Sequence, residues 1–357
     1  MAAQKGRKCP NCGSELSFNP ENGTLTCPNC HSCVDMGEAS TEQIVERGLE
    51  QFLAETENLD EETERLVAHC PNCGAEVRFA DNVVAGFCSY CRTPISAASA
   101  STRSIRPQGL IPFAITVKQA GEAFSKWLSG LWFLPNDAKK LGLASPPVGC
   151  YRPCWTFDFN TETSYDGYRG DYYYVTVTHR ENGKTVTRQE RRTRWTPVSG
   201  WVQDAFDDVT VHASSVQPIA LQEGLGPWRL PEAVDYDSDK TRGFSEESYD
   251  VRISDGLNCA KEKAKDTIQD SIRRDIGGDE QRIDSFEVTY SDFTFKLLLL
   301  PFWESMYTYR KKMYRYLVNG QTGKAHGERP WSAVKIAFAV LLGLIAVGML
   351  LLLIANS

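Results

Sequence analysis

Between residues 110 and 330 the hydrophobic positions change period twice. Val117, Ala120, Phe124, Trp127, Leu128 and Leu131 recur at helical spacing until Pro135, which predicts one amphipathic helix. "DYYYVTVTHR-ENGK-TVTRQERRTRW" then alternates with period two about Asn182-Gly183, the strongest two-residue hairpin signal, and strands are expected to follow over 198–212. Leu257, Ala260, Ala264, Ile268, Ile272 and Ile276 form the stripe of a second helix that stops at Gly277-Gly278. "RIDSFEVTY", "FTFKLLLLPFW" and "YRYLVNGQTGKAHG" predict further strands. "KLLLLPFW" is too short to span a membrane and contains a proline, so it reads as a buried strand. The pattern is that of an α+β domain with a mostly antiparallel sheet.

Outside this segment the pattern changes character. Ser40 and Gln43 form a capping box, after which Ile44, Val45, Leu49, Phe52 and Leu53 line one helical face. A second short helix is expected over 58–67. Residues 96–109, "SAASASTRSIRPQG", are small, polar and end near a proline, the composition of a linker that would let the segment before it reach. From Ile336 to Ala355 run twenty residues without a charge, enough at about 1.5 Å per residue to cross about 30 Å of hydrocarbon. A buried core helix would show a polar face, and this stretch has none.

Charge adds orientation. Arg310, Lys311, Lys312, Arg315, Lys324, Arg329 and Lys335 precede the apolar run against Glu328 alone, and no basic residue follows it. The positive-inside rule then places the body in the cytoplasm, with a single-pass anchor in the cytoplasmic membrane and Trp331 at the interface. Ala339 and Gly343 are a small-xxx-small pair that could join two such helices, although such a pair is also ordinary in membrane helices. No secretory signal opens the chain, and twelve cysteines without one fit a reducing compartment. Residues 38–69 hold ten acidic and two basic side chains, which reads first as a solvated helix face and second as an acidic docking surface.

The cysteines supply the chemistry. Cys9-x2-Cys12 is followed after fourteen residues by Cys27-x2-Cys30, and the set recurs 61 positions on as Cys70, Cys73, Cys88 and Cys91. Two thiols separated by two residues fall on one side of a tight turn, with Gly13 or Gly74 just behind it. Two such turns joined by a hairpin make a closed four-thiolate zinc site, so two structural Zn²⁺ are expected. The repeat excludes rival ligands. His31 and Cys33 align with Arg92 and Pro94, and His69 aligns with Lys8.

"YRPCWTFDFNTETSYDGYRGDYYYV", "TRWTPVSGWV", "FKLLLLPFW" and "YLVNGQTGKAHGERPWS" resemble the bacterial membrane proteins labelled as transcription-factor-IIB-type zinc-ribbon or primosomal-helicase-like. The last two stretches are the most specific. The resemblance implies a membrane-tethered adaptor, often found beside flotillin-like (SPFH) scaffold proteins. It also implies an aromatic or small apolar residue where Cys154 stands, which argues against a third metal site at Cys150 and Cys154.

Catalysis finds no support in the sequence. "NGKT" and "GQTGKA" lack the phosphate-cradling spacing, and neither H-E-x-x-H nor G-x-S-x-G occurs. Asp235, Asp237, Asp239 and Glu246 fall at calcium-loop positions, but Lys240 stands where the turn glycine belongs. Nucleic acid is the rival partner. Residues 180–195 hold six basic residues against two acidic, with Arg188, Arg192 and Arg194 on one strand face, where phosphate or lipid headgroups could meet them. A net charge of −7 and pI near 5.4 weigh against general nucleic-acid affinity. The chain therefore divides into ribbon 1 (1–35), acidic helical insert (36–69), ribbon 2 (70–95), linker (96–109), α+β domain (110–330) and anchor (331–357). The expected function is a non-enzymatic adaptor that brings a cytoplasmic protein to the membrane.

Overall fold

A computed structural model describes residues 8–14, 16–20, 22–34, 44–56, 67–69, 76–78, 83–87, 94–96, 105–140, 146–181, 184–215, 218–237, 240–247 and 249–355. The first elements are β1 (Ser17–Asn19), β2 (Thr24–Thr26), β3 (Cys33–Val34), β4 (Arg47–Gly48), α1 (Leu49–Thr56), β5 (Val67–His69), β6 (Glu76–Arg78), β7 (Val83–Phe87) and β8 (Pro94–Ser96). Then come β9 (Gly109–Leu110), α2 (Val117–Gly130), β10 (Val148–Glu181), β11 (Lys184–His212), α3 (Ile219–Glu223), β12 (Val234–Asp235), β13 (Ser245–Glu247) and α4 (Ile253–Ile276). The chain closes with β14 (Glu280–Tyr309), β15 (Lys312–Asn319), β16 (Ala325–Gly327) and α5 (Ala333–Ala355).

Three strands of 34, 29 and 30 residues dominate the molecule. β10 lies between β11 and β14, antiparallel to both. On the far side of β14 stand β4, β9 and β15 in turn. The sequence pattern predicted several ordinary strands here, and they are fused. The apparent breaks at "DD" and "SD" are bulges. Asp208 and Asp292 take positive φ, 55° and 56°, and each register shift is absorbed without ending the strand. The Asp208 N–H donates to the Asp158 carboxylate, which satisfies a backbone donor at one kink, and the Asn160 side chain donates to the Asp292 carboxylate at 3.0 Å across the other.

Both helices predicted within residues 110–330 form. α2 begins at a capping box, with Thr116 and Gln119 bonded reciprocally, and buries Ala120, Phe124 and Leu128 against Tyr307 and Tyr316. α4 lays Ala260, Ala264, Ile268, Ile272 and Ile276 on Trp155, Phe157, Phe159 and Tyr165 of β10. Gly256 is required there, because a Cβ would stand 2.9 Å from the Trp155 ring. "KLLLLPFW" is a strand buried on both faces, with Leu297 under α4 and Leu300 and Phe302 under α3.

The insert differs from the expectation. Residues 44–46 are not helical, and α1 starts only at Leu49. Arg47 and Gly48 pair instead with Phe295 and Thr294 of β14, and Glu46 bonds Lys296 at 2.9 Å. Phe52 meets Phe295 edge-on at 4.9 Å. Sheet pairing has overridden local helix propensity. Residues 58–66 of the second expected helix lie outside the described residues, and Val67 is in β5. Residues 97–104 of the expected linker lie outside the described residues, and the residues that follow belong to the body. Ile105 is packed against the α4 core, Gln108 bonds the Leu297 backbone, and Gly109 and Leu110 are buried in β9.

Candidate metal centre

Two turns build the first four-cysteine group. The Cys9 N–H donates to Ser14 O at 2.7 Å and the Gly13 N–H to Cys9 O at 2.9 Å. The second turn repeats both bonds, Cys27 to Ser32 at 2.9 Å and His31 to Cys27 at 3.0 Å. Gly13 and His31 occupy the same left-handed position, with φ of 74° and 58°. His31 therefore serves the turn through its backbone while its side chain is exposed. The β1–β2 hairpin holds the turns together, and Leu16 and Leu25 pack with Cys9 and Cys27.

The four sulfurs lie within 4.8 Å of one another. Cys9 and Cys30 are 3.4 Å apart, as are Cys12 and Cys27. A tetrahedral ion with metal–sulfur bonds of about 2.3 Å needs sulfurs about 3.8 Å apart. A disulfide needs about 2.05 Å. The group thus fits a metal ion, and all four cysteines are free thiols. The Ser32 hydroxyl draws the Cys30 thiol down to about 5, and Ser14 lowers Cys12. At Cys27 the Cys30 N–H also lowers the thiol, but burial and the neighbouring sulfurs outweigh it and push Cys27 up to about 11. Two thiols poised to ionise beside a buried one make a donor set that a cation completes. Cys33 is exposed on β3 and stands outside the group.

Cys70, Cys73, Cys88 and Cys91 lie outside the described residues. Strands β7 and β8 beside them are described, and the register between these two matches the repeat. Leu25 pairs with Val34 and Thr26 with Cys33 in the first copy, while Gly86 pairs with Ile95 and Phe87 with Pro94 in the second. Each partner is displaced by the same 61 positions.

The first copy is docked on the body, and strand β7 of the second pairs with it. The Phe18 N–H donates to Arg242 O at 2.9 Å, and the Phe18 ring lies 6.5 Å from Phe244. Gly243, at φ 87°, admits this approach, since a Cβ would stand 2.6 Å from Ser17. β7 pairs with β13.

Sequence spacing could not reveal two other clusters. Arg152 is fully buried with Glu247 at 3.0 Å and Glu304 alongside, and its guanidinium lies over Phe302. Asp158, Asp207 and Asp208 converge at the bulge. Lys296 bonds Asp208 and Glu46, each at 2.9 Å, so the chain supplies its own cation there. Burial nevertheless pushes Asp158 up to about 6. The calcium-like positions do not assemble. Buried Glu246 accepts from the Tyr236 hydroxyl at 3.0 Å, Asp235 is in β12, and Asp239 lies outside the described residues. Cys150 and Cys154 are both buried, and burial raises both thiols. Arg188, Arg192 and Arg194 do share one face of β11, interleaved with Glu190 and opposite Asp171 and Tyr173.

Over 339 residues the chain is 26% identical to "Uncharacterized protein YdjG" of Bacillus subtilis (strain 168), covering 92% of this chain and 91% of that protein. No family model and no solved structure matches. Among the described residues, one helix is long and apolar enough to cross a membrane. It spans Ala333–Leu353, with mean hydropathy 3.0 and none of it buried against the body.

Proposed function

We propose that this chain is a zinc-binding, non-enzymatic adaptor, tethered to the cytoplasmic membrane by α5 with its body in the cytoplasm. The observation that carries the reading is a four-thiol group fixed on a large sheet, with an unburied apolar helix in the same chain. Four thiolates around zinc leave no position for substrate or for an activated water, so the metal shapes a surface. Zinc fits Cys9, Cys12, Cys27 and Cys30 by donor type and spacing. A second ion is proposed at Cys70, Cys73, Cys88 and Cys91, supported by the matching register of β7 and β8. The partner is a cytoplasmic protein, and the family resemblance favours a flotillin-like scaffold.

The test captures the full chain from solubilised membranes, wild type against Cys27→Ser. Recovery of a defined protein by the wild type and its loss from the variant supports the adaptor. Identical captures from both contradict it.

A membrane-anchored nucleic-acid binder is the second reading, favoured by one observation. Beyond the pair Gly170–Glu280, β10 and β11 continue as a ribbon to the pair Glu181–Lys184 with no third strand among the described residues. Arg191 stacks over Tyr172 at 4.2 Å, and Arg194 over Tyr173 at 5.2 Å. Such a ribbon fits a major groove. DNA and RNA binding at physiological salt, lost on replacing Arg188, Arg192 and Arg194 with serine, decides for this reading.

A further inference from the structure

The base of α5 is built into the body. The Ser332 N–H donates to Phe133 O at 2.8 Å. Lys335, in the first turn of the helix, donates to Trp132 O at 3.1 Å, Leu134 O at 2.8 Å and the Asn136 side chain at 2.7 Å. Three bonds from one ammonium fasten loop 131–137 to the point where the apolar run begins. The β14–β15 hairpin joins the same place, because the Tyr309 hydroxyl bonds Asp137 at 3.0 Å and Arg310 pairs with Asp137 at 3.5 Å.

What this end displays is unusual for a surface facing water. Trp132 is 67% exposed, Trp331 56% and Met313 65%. Arg310, Lys311 and Lys312 are exposed beside them, and Arg329 lies over the Trp331 ring at 4.2 Å. Opposing carboxylates are Asp137, already engaged by Arg310 and Tyr309, and Glu328, which accepts from the Arg315 N–H. The hairpin turn is equally telling. Arg310 and Lys311 both hold left-handed backbone, φ 49° and 66°, a two-residue turn for which Asn-Gly is the low-strain choice. The chain has Asn-Gly at its other long hairpin, residues 182 and 183. At 310 and 311 it places two cations on strained backbone instead, which points to a task for the charge.

We propose that loop 131–137, the 309–312 turn and the base of α5 form one surface that rests on anionic lipid headgroups. Trp132 and Trp331 sit at the interfacial level, and the cations of the turn meet the phosphates. The body then stands on the membrane in one orientation. Because β14 leads away from this surface, the Arg-Tyr ribbon at its other end is presented to the cytoplasm and not to the bilayer. The inference rests on α5 spanning the membrane.

The experiment places the full chain in nanodiscs of phosphatidylcholine, alone or with phosphatidylglycerol, and follows backbone hydrogen exchange. Exchange of 131–137 and 309–313 is expected to slow on the order of ten-fold with the anionic lipid, while 187–194 does not change. Arg310→Asn with Lys311→Gly separates stability from binding, because it relieves the turn. The variant should raise the Tm yet lose most of the lipid-dependent protection. Equal exchange in both lipids, with α5 resistant to carbonate extraction, overturns the surface but leaves the span standing. Extraction of the wild type by carbonate overturns both.

Discussion

At the scale of single residues, His212 offers a pH test. It is 6% exposed, and burial, with the Lys263 charge adding to it, pushes the imidazole from 6.5 down to about 4. The folded state therefore favours neutral His212. Its contribution is complete above pH 6.5 and is lost as pH falls through about 4, a total on the order of 3 kcal/mol. Thermal melts at pH 7 and pH 4.5 should show a smaller acid-induced fall in Tm for His212→Gln than for the wild type; equal falls would contradict this. The cysteines divide sharply at the same scale. Cys33→Ser should leave bound metal unchanged, while Cys30→Ser should remove one ion per chain, both read by elemental analysis. The metal group was legible because each turn is local, four residues carrying two ligands. The carboxylates around Lys296 were not, since Glu46, Asp158, Asp208 and Lys296 meet only when four separate segments converge on one bulge.

Among elements, α4 is where sequence and structure agree most closely. Its stripe was readable because a helix on a sheet must repeat its apolar side every 3.6 residues. Ile268, fully buried at the centre, should cost about 2–5 kcal/mol as Ile268→Ala. Lys265→Ala on the exposed face should change stability by less than about 0.5 kcal/mol. Chemical denaturation of the two variants compares them directly, and similar losses would mean that α4 does not rest on this face. Strand length was not readable. Polar pairs such as Asp207-Asp208 and Ser291-Asp292 look like turns, and only the paired neighbours of β10 show them to be bulges. The start of α1 was not readable for a related reason, since the β14 edge at Thr294 and Phe295 pairs with Arg47 and Gly48 before the helix begins. Removing residues 1–95 would therefore strip Leu49 and Phe52 from the main core, so point variants are the better probes of the ribbons.

For the whole molecule, thirty residues of β14 at about 3.3 Å each give a contour of about 100 Å leading away from the hairpin next to α5. The docked four-cysteine group contacts residues 242–244, and Phe244 packs with Phe113, Tyr151 and Trp303, so its position is set by the half of the sheet nearer α5. Deleting residues 331–357 should convert a carbonate-resistant protein into one released by a salt wash; retention after the wash would reveal another membrane attachment. The joint claim of tether and paired metal sites has one direct measurement. The full chain is purified in detergent from the carbonate-washed membrane fraction, and its metals are quantified against protein. The account predicts zinc at a ratio near two ions per chain. A ratio near one, iron in place of zinc, or no protein in that fraction would contradict it.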